Sequence, residues 1–342
     1  MSMDDRKLVL VTGGAGYFGA VLIPALLAKG YRVRVFDKML FGDEAVRDLL
    51  DRIELIQGDV LHAPDNLMDG VSAVIHLAGV SSQSLASNRS PRYTDLSNHI
   101  GTELMGRAAK KAGVRRFVLA SSCSIYCTYR HSPDTVAPLY RESDPINICN
   151  AYALSKRASE EALLELKDDT FEPVFMRKGT MFGFSPKMRY DLILNAFTKD
   201  AFTKRKITVS SGGELYRPMI DIQDAVRAYL LALELPAELV SGEAFNIVSF
   251  NRKIGDLALD FKDIIKREKG IDIEVELKPF EVAYSYQTET DKFRSVFGDV
   301  QTRTMSEAVL DTWNRLEAGH DHQQEQYYND RWYTTLFQQN RL

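Results

Sequence analysis

Leu8-Val9-Leu10-Val11-Thr12-Gly13-Gly14-Ala15-Gly16-Tyr17-Phe18-Gly19 is an apolar run that ends in a cluster of glycines. An amphipathic segment comes directly after it. The pattern predicts a buried strand, a tight turn and a helix N-terminus. Glycine takes φ > 0 and has no side chain to hold a ligand off the backbone. A helix N-terminus offers unpaired N–H groups and a positive dipole end, which suits a pyrophosphate. The glycines fit G-x-G-x-x-G as Gly14, Gly16 and Gly19, and G-x-x-G-x-x-G as Gly13, Gly16 and Gly19. A glycine-rich turn without a ligand is spelled the same way, so its meaning depends on the segments downstream.

Those segments supply the context. Phe18, Val21, Leu22, Ala25 and Leu26 recur at helical spacing, predicting a helix over Tyr17–Lys29 that must absorb Pro24. Tyr31–Phe36 alternates as a strand does and ends at Asp37, eighteen residues after Gly19. An acidic residue at about that interval accepts hydrogen bonds from an adenosine ribose and repels a 2′-phosphate, which favours NAD over NADP. Lys38 beside it argues the other way. Strands are also predicted at Ile53–Gln57, before Gly58-Asp59-Val60, and at Ala73–Leu77, before Ala78-Gly79. A further strand, Arg116–Ala120, ends in Ser121-Ser122, and a helical period runs from Asn98 to Ala112. His76 lies inside an apolar run and reads as a core histidine. Alternating strands and helices predict an α/β fold: a Rossmann-type, doubly wound parallel sheet with right-handed crossovers.

Composition bounds the rest. The 342 residues are 45% hydrophobic and 26% charged, with a net charge of −4 and no basic block, so nucleic acid is not an expected partner. No apolar run is long enough to span a bilayer, and the short charged start has no signal-peptide pattern. The three cysteines, Cys123, Cys127 and Cys149, show no framework spacing. They are expected to be reduced thiols in a cytoplasmic protein.

Tyr152-Ala153-Leu154-Ser155-Lys156 opens a strongly helical stretch, and residues i and i+4 share a helix face. An ammonium near a phenol favours the phenolate and makes tyrosine a usable acid/base. Ser122, at a strand end, is the hydroxyl that would orient a substrate oxygen. Tyr-x-x-x-Lys alone is common by chance; Ser122, Asn98 and the glycine turn together make it a constellation.

At this point the chain resembles the extended short-chain dehydrogenase/reductases, in the NAD-dependent epimerase/dehydratase group. The resemblance covers residues 7–310 and adds Asn98-His99-Ile100-Gly101-Thr102 and Ser121-Ser122-Cys123-Ser124-Ile125-Tyr126 to the segments above. It implies that Gly13, Gly16, Tyr17, Phe18, Gly19, Asp37, Asp59, Val60, Leu77, Ala78, Gly79, Asn98 and Ser121 line an NAD site. It implies Tyr152 as acid/base, Lys156 on the nicotinamide ribose, and Ser122 as the catalytic Ser/Thr. Sugar-nucleotide 4,6-dehydratases of the group carry Asp-Glu after that serine, and decarboxylating members keep a glutamate at the second position. Cys123 and Ser124 stand there instead. Hydride chemistry at a carbinol carbon remains: epimerisation through a transient ketone, oxidation or reduction.

Arg177-Lys178-Gly179-Thr180 resembles the family's Arg-x-x-Asn turn, with Thr180 at the substrate-contacting position. The basic loop Phe184–Asp191, containing Arg189, is a candidate pocket wall. Arg217 matches an arginine that binds a nucleotide diphosphate, as a bidentate guanidinium can. The second such arginine, before Tyr284, is missing. Asp224 reads as a helix cap. No metal site is expected, and His320-Asp321-His322 reads as a solvated turn.

These features predict an NAD-binding domain over residues 1–180 and about 221–246. A smaller mixed α/β substrate domain is expected over about 181–220 and 247–318, with an aromatic extension over 319–342. The extension carries Tyr327, Tyr328, Trp332, Tyr333 and Phe337, is unlike the family, and is expected to pack on the substrate domain or a partner subunit. The resemblance implies a homodimer formed through the helices at 98–112 and 151–166. The expected activity is epimerisation of a nucleotide-activated sugar. An NAD(P)H-dependent ketoreductase of a nucleotide sugar or secondary metabolite, or an NAD sensor without turnover, remains an alternative.

Overall fold

The computed structural model describes residues 7–81, 90–130, 137–281 and 283–342. β1 (Leu8–Thr12), β2 (Arg32–Asp37), β3 (Glu54–Gln57), β4 (Val71–His76), β5 (Arg116–Ser122), β6 (Glu172–Lys178) and β10 (Ala244–Ile247) form one parallel sheet. Its order is β10-β6-β5-β4-β1-β2-β3. All five β1 residues are buried, as strands covered on both faces must be. The chain winds outward from β1 to β3 and then crosses back to β4. A crevice therefore opens at the carboxyl ends of β1 and β4, whose onward connections go to opposite faces, where open α/β sheets bind ligands.

Helices cover both faces. α1 (Gly19–Ala28) buries Leu22, Ile23 and Leu26 and keeps Pro24 on its exposed side, so the proline is accommodated. α5 (Ile222–Glu234) packs beside it, with Phe18 edge-on to Tyr229 at 4.8 Å. On the opposite face lie α2 (Gly101–Lys111) and α3 (Ala151–Glu165), with Met105, Ala109 and Leu163 against Phe117 and Phe171. Five residues before α2, Leu96–Ile100, form a π turn.

A second layer carries α4 (Ile193–Lys204), α6 (Ile254–Lys269) and α7 (Met305–Glu317) around Phe197, Phe261 and Trp313. Two small sheets join it. One has the order β11-β9-β7, from β7 (Thr180–Phe182), β9 (Tyr216–Asp221) and β11 (Phe250–Lys253). The other pairs β8 (Lys206–Val209) with β12 (Glu274–Leu277).

Three expectations need correction. The cap of α5 is Asp221, whose carboxylate accepts from the Gln223 N–H at 2.7 Å. Asp224 lies inside the first turn and accepts from Thr302 N and Oγ1 at 2.7 and 2.8 Å, tying α5 to the loop before α7. The extension folds as α8 (Asn329–Gln338); Tyr327 and Tyr328 before it pack on the substrate segment at Tyr190 and Lys199, as expected, but α8 itself turns to the other half. Leu336 and Tyr333 are buried with Val80, against Leu40, Phe41 and Tyr93 of the large-sheet half. His320 is half-buried, not freely solvated: it stacks on Tyr327 and meets Phe184 edge-on.

The cysteines are also not three free thiols. Cys127 and Cys149 form a disulfide with Cα atoms 6.1 Å apart, and Cys123 alone is free and buried. The pair is brought together because the chain after β5 returns to α3 within 22 residues, a closure that spacing alone does not reveal. Titration of unfolded protein purified without reductant is expected to give one reactive thiol per chain, rising to three after reduction. Three thiols before reduction would exclude the bridge.

Candidate functional site

The crevice is the mouth of a cavity of about 680 Å³. Its floor is the turn between β1 and α1. Gly13 has φ +69°, and a Cβ there would lie 2.6 Å from the backbone N of Ala78. The turn and the end of β4 therefore touch through backbone alone. α1 has no side-chain cap and no acidic residue in its first turn, so its N–H end is left for the cavity.

Asp37 ends β2 at one side. Its carboxylate accepts from Ala15 N at 2.9 Å and Met39 N at 2.7 Å. Burial pushes its pKa up, and the two N–H bonds oppose that shift. Lys38 does not face the cavity unpaired: its ammonium is 2.9 Å from Asp59. Asp59 in turn caps the next turn through Leu61 N. Gly13, Gly16, Tyr17, Phe18, Gly19, Asp37, Asp59, Val60, Leu77, Ala78, Gly79, Ser121, Ser122, Tyr152, Lys156, Thr180, Arg189 and Arg217 all line this one cavity, so nearly every residue singled out in the sequence converges here.

Asn98 is the exception. Its amide oxygen accepts from Val80 N at 2.6 Å, while its nitrogen donates to Val80 O and Ser155 Oγ, each at 3.0 Å. The side chain is fully committed to pinning the loop after β4 to α3, and it does not face the cavity. It positions the site from behind.

Ser122 caps the turn after β5, accepting from Ser124 N at 3.1 Å, and lines the cavity together with Tyr152. Asn150 caps α3, accepting from Ala153 N at 2.8 Å, which starts the helix just before Tyr152. Lys156, one turn on, donates to Ala120 O at 2.9 Å, with its ammonium 5.9 Å from the Tyr152 ring centre. Burial pushes Lys156 down to about 8. Burial also raises the Tyr152 phenol; the nearby Ser122 hydroxyl and the Arg189 charge oppose it. Lys156 is not among the groups that lower Tyr152 in this arrangement. In this state Ser122 and Arg189 are the groups that favour the phenolate, because the lysine is turned onto the β5 carbonyl.

The far wall is cationic. Arg217 donates to the carbonyls of Tyr216 and Tyr284, and among the described residues no carboxylate pairs with it. Arg189 is held by Asp191 at 2.8 Å and Ser81 Oγ at 3.1 Å. Lys178, to which the sequence pattern gives no role, is buried against the rings of Phe18 and Tyr229, and desolvation pushes it down to about 7. Lys187, Ser81, Asn329 and Tyr333 also line the cavity without being singled out by the sequence. Lys187 belongs to the basic loop already named as a candidate pocket wall, Ser81 to a connection without a motif, and the other two to the extension. Cys123 is an inert filler, with burial pushing its thiol up to about 12. Ser124 lines the cavity, and its buried hydroxyl has no partner among the described residues.

A glycine turn at the switch point of a doubly wound sheet, with Ser, Tyr and Lys gathered at one end of the same cavity, defines a Rossmann-type oxidoreductase scaffold. The model of the NAD dependent epimerase/dehydratase family matches residues 9–248. The chain belongs to that family, whose members are NAD-dependent enzymes.

It is 28% identical over 265 residues to UDP-glucuronic acid decarboxylase 1 of Xenopus tropicalis, a match covering 75% of this chain and 62% of that one. It is 24% identical over 339 residues to UDP-glucose 4-epimerase of Erwinia amylovora, covering 90% and 96%. The UDP-glucuronic acid 4-epimerase of Bacillus cereus, solved in complex with UDP-glucuronic acid and NAD, superposes with a TM-score of 0.78 at 20% identity. That superposition covers 91% of this chain and 99% of the other. No helix among the described residues is long and apolar enough to cross a membrane.

His76 lies beneath the site without entering it. Its Nδ1 is 2.8 Å from Thr12 Oγ1 and its Nε2 is 3.0 Å from Thr102 Oγ1. Burial pushes it down from 6.5 to about 3, so it is neutral in the folded chain. Between those values the unfolded chain binds more protons, and stability falls as pH drops from 6.5 toward 3, by about 1.4 kcal/mol per pH unit at most. Denaturant unfolding at a series of pH values is expected to show this slope. His76→Asn is expected to remove one proton's worth of it, and an unchanged slope would contradict the assignment.

Proposed function

We propose that the protein is an NAD-dependent epimerase of a nucleotide-activated sugar, with Tyr152 as acid/base. The observation that carries this reading is the gathering of Ser122, Tyr152 and Lys156 in one cavity, between its glycine-turn end and its cationic wall. The chain fits NAD. The uncapped α1 terminus suits a pyrophosphate, and Asp37 suits ribose hydroxyls. Lys38, being paired with Asp59, is not available to a 2′-phosphate, which favours NAD over NADP.

The bound dinucleotide supplies a hydride acceptor that also returns the hydride. This chain's residues do the rest. Ser122 holds the substrate hydroxyl, and Tyr152 takes its proton as the carbinol carbon is oxidised. Lys156, turned from Ala120 O toward the ribose, stabilises the phenolate by charge. Tyr152 then returns the proton to the oxygen when the other face of the ketone is reduced. Arg217 and Arg189 hold the nucleotide diphosphate, a role for which planar guanidinium groups are suited. Thr180 contributes a hydroxyl to the sugar site.

Relatives include a decarboxylase, yet that chemistry and dehydration need an acid or base that Cys123 and Ser124 do not supply. A serine hydroxyl at position 124 is a poor proton acceptor, so epimerisation fits the cavity better. A homodimer is proposed through α2 and α3, which expose Leu104, Leu154 and Leu164. The division into an NAD domain, a substrate domain and an extension is retained in this reading, with the extension bridging the two.

An epimerase is expected to purify with bound NAD and to interconvert UDP-sugars without added cofactor. Stoichiometric consumption of NADH or NADPH would favour the ketoreductase instead. Tyr152→Phe is expected to lower turnover by about 10²–10⁴-fold, the usual worth of general acid–base catalysis, while NAD remains bound. Turnover that survives the change would exclude Tyr152 as acid/base. Sedimentation is expected to give a dimer, and Leu104→Arg with Leu154→Arg is expected to give monomers.

A further inference from the structure

The cavity has a second wall that the family pattern does not account for. Lys187 lies in the loop between β7 and α4 and is only 4% exposed. Its ammonium is 2.7 Å from Asn329 Oδ1 and 3.8 Å from the Phe41 ring centre. Among the described residues no carboxylate lies within ion-pair distance of it. Asn329 opens α8, and its amide nitrogen donates to Ser81 Oγ at 3.2 Å, so the asparagine oxygen is turned toward the lysine. The Lys187 loop is itself tied to the glycine turn, because Ser185 Oγ donates to Tyr17 O at 2.7 Å. Tyr333, one turn along α8, meets Phe41 edge-on at 5.5 Å, and Trp332 donates to Leu40 O at 2.6 Å. α8 therefore clamps the loop after Asp37. Lys187, Asn329 and Tyr333 all line the same cavity as Gly13, Gly16 and Tyr17.

A buried ammonium with one neutral partner is costly to hold. Burial and the Arg189 charge disfavour the ammonium, and together they outweigh the attraction of Asp191 and Asp37. The Asp37 oxygens are occupied by Ala15 and Met39. Such a cation lacks an anion, and the uncapped helix end beside it is where an anion would lie.

We propose that α8 is part of the dinucleotide site: Asn329 holds Lys187 as the counter-cation of the cofactor's pyrophosphate, while Tyr333 and Trp332 close the adenosine end. The proposal rests on the NAD reading above. It assigns to residues 327–342 a binding function that no motif announces. Release of the cofactor would then require the α8 clamp to open.

The test uses the full chain stripped of nucleotide, with Lys187→Met, Lys187→Arg and Asn329→Leu. Titration calorimetry compares NAD, ADP-ribose and adenosine. Lys187→Met is expected to weaken NAD and ADP-ribose by at least tenfold and to change adenosine by less than twofold. Lys187→Arg is expected to restore most of that loss. Asn329→Leu is expected to weaken the two phosphate ligands by a smaller factor. Thermal unfolding is a second readout: without ligand, Lys187→Met is expected to melt higher than the parent, and its melting point is expected to rise less on adding NAD. Unchanged NAD affinity in Lys187→Met, or an equal loss for adenosine, would overturn the role of Lys187. Failure of the parent protein to bind any of the three ligands would instead overturn the NAD reading itself.

Discussion

The site depends on one backbone contact. Gly13 approaches Ala78 so closely that no side chain fits between them. This contact joins the turn after β1 to the end of β4, the two strands between which the sheet reverses direction. A second packing constraint lies behind it: a Cβ on Gly19 would overlap the carbonyl of Gly14, so α1 meets its own turn only if that residue is glycine. With the turn fixed, Asp37 is drawn to it through Ala15, and Asn98 fixes the β4 loop against α3. The positions of Tyr152 and Lys156 are then set by α3. Asp37 and the loop after β4 are thus held by bonds one layer further back.

Charge is distributed unevenly around that frame. The chain is acidic overall, with a net charge of −4. Yet Lys156, Lys178, Lys187 and Arg217 are cations at the cavity for which no ion pair is found among the described residues. Burial lowers the pKa of all four. By contrast, the buried Arg177 below the cavity is paired with Glu160 at 2.7 Å. A cation with a structural role there is neutralised within the chain, and these four at the cavity are not. An anionic ligand would relieve that cost, so binding and folding stability are coupled here. Two diphosphates, one on the cofactor and one on the substrate, are the chemistry that such a wall suits.

Much of the fold was legible because its signals are local. β1, β4 and β5 are apolar runs of the right length, and the acidic residue after β2 stands at the expected interval. Tyr152 and Lys156 were legible because i and i+4 share a helix face. The illegible part depends on tertiary burial. The phenol of Tyr152 rises because it is desolvated, and spacing carries no information about desolvation. Asn98 lies in the expected segment, but a π turn directs its amide to Val80 and away from the cavity. Cys127 and Cys149 meet because the chain between them folds back.

The extension shows the same limit more sharply. Its aromatics signalled that it packs, since a polar segment holding Tyr327, Tyr328, Trp332, Tyr333 and Phe337 has apolar area to bury. They did not say where. The location is decided by a loop nearly 300 residues earlier in the chain, where Leu40 presents a carbonyl to Trp332 and Phe41 an edge to Tyr333. Leu40 and Phe41 come after Asp37 and read from sequence as an ordinary connection. Once α8 covers them, that connection becomes the rim of the cavity, and Lys187, in sequence one more residue of a basic loop, acquires a fixed position. The residues of this second wall therefore acquire their meaning only in pairs: a lysine with an asparagine, a loop with a distant helix.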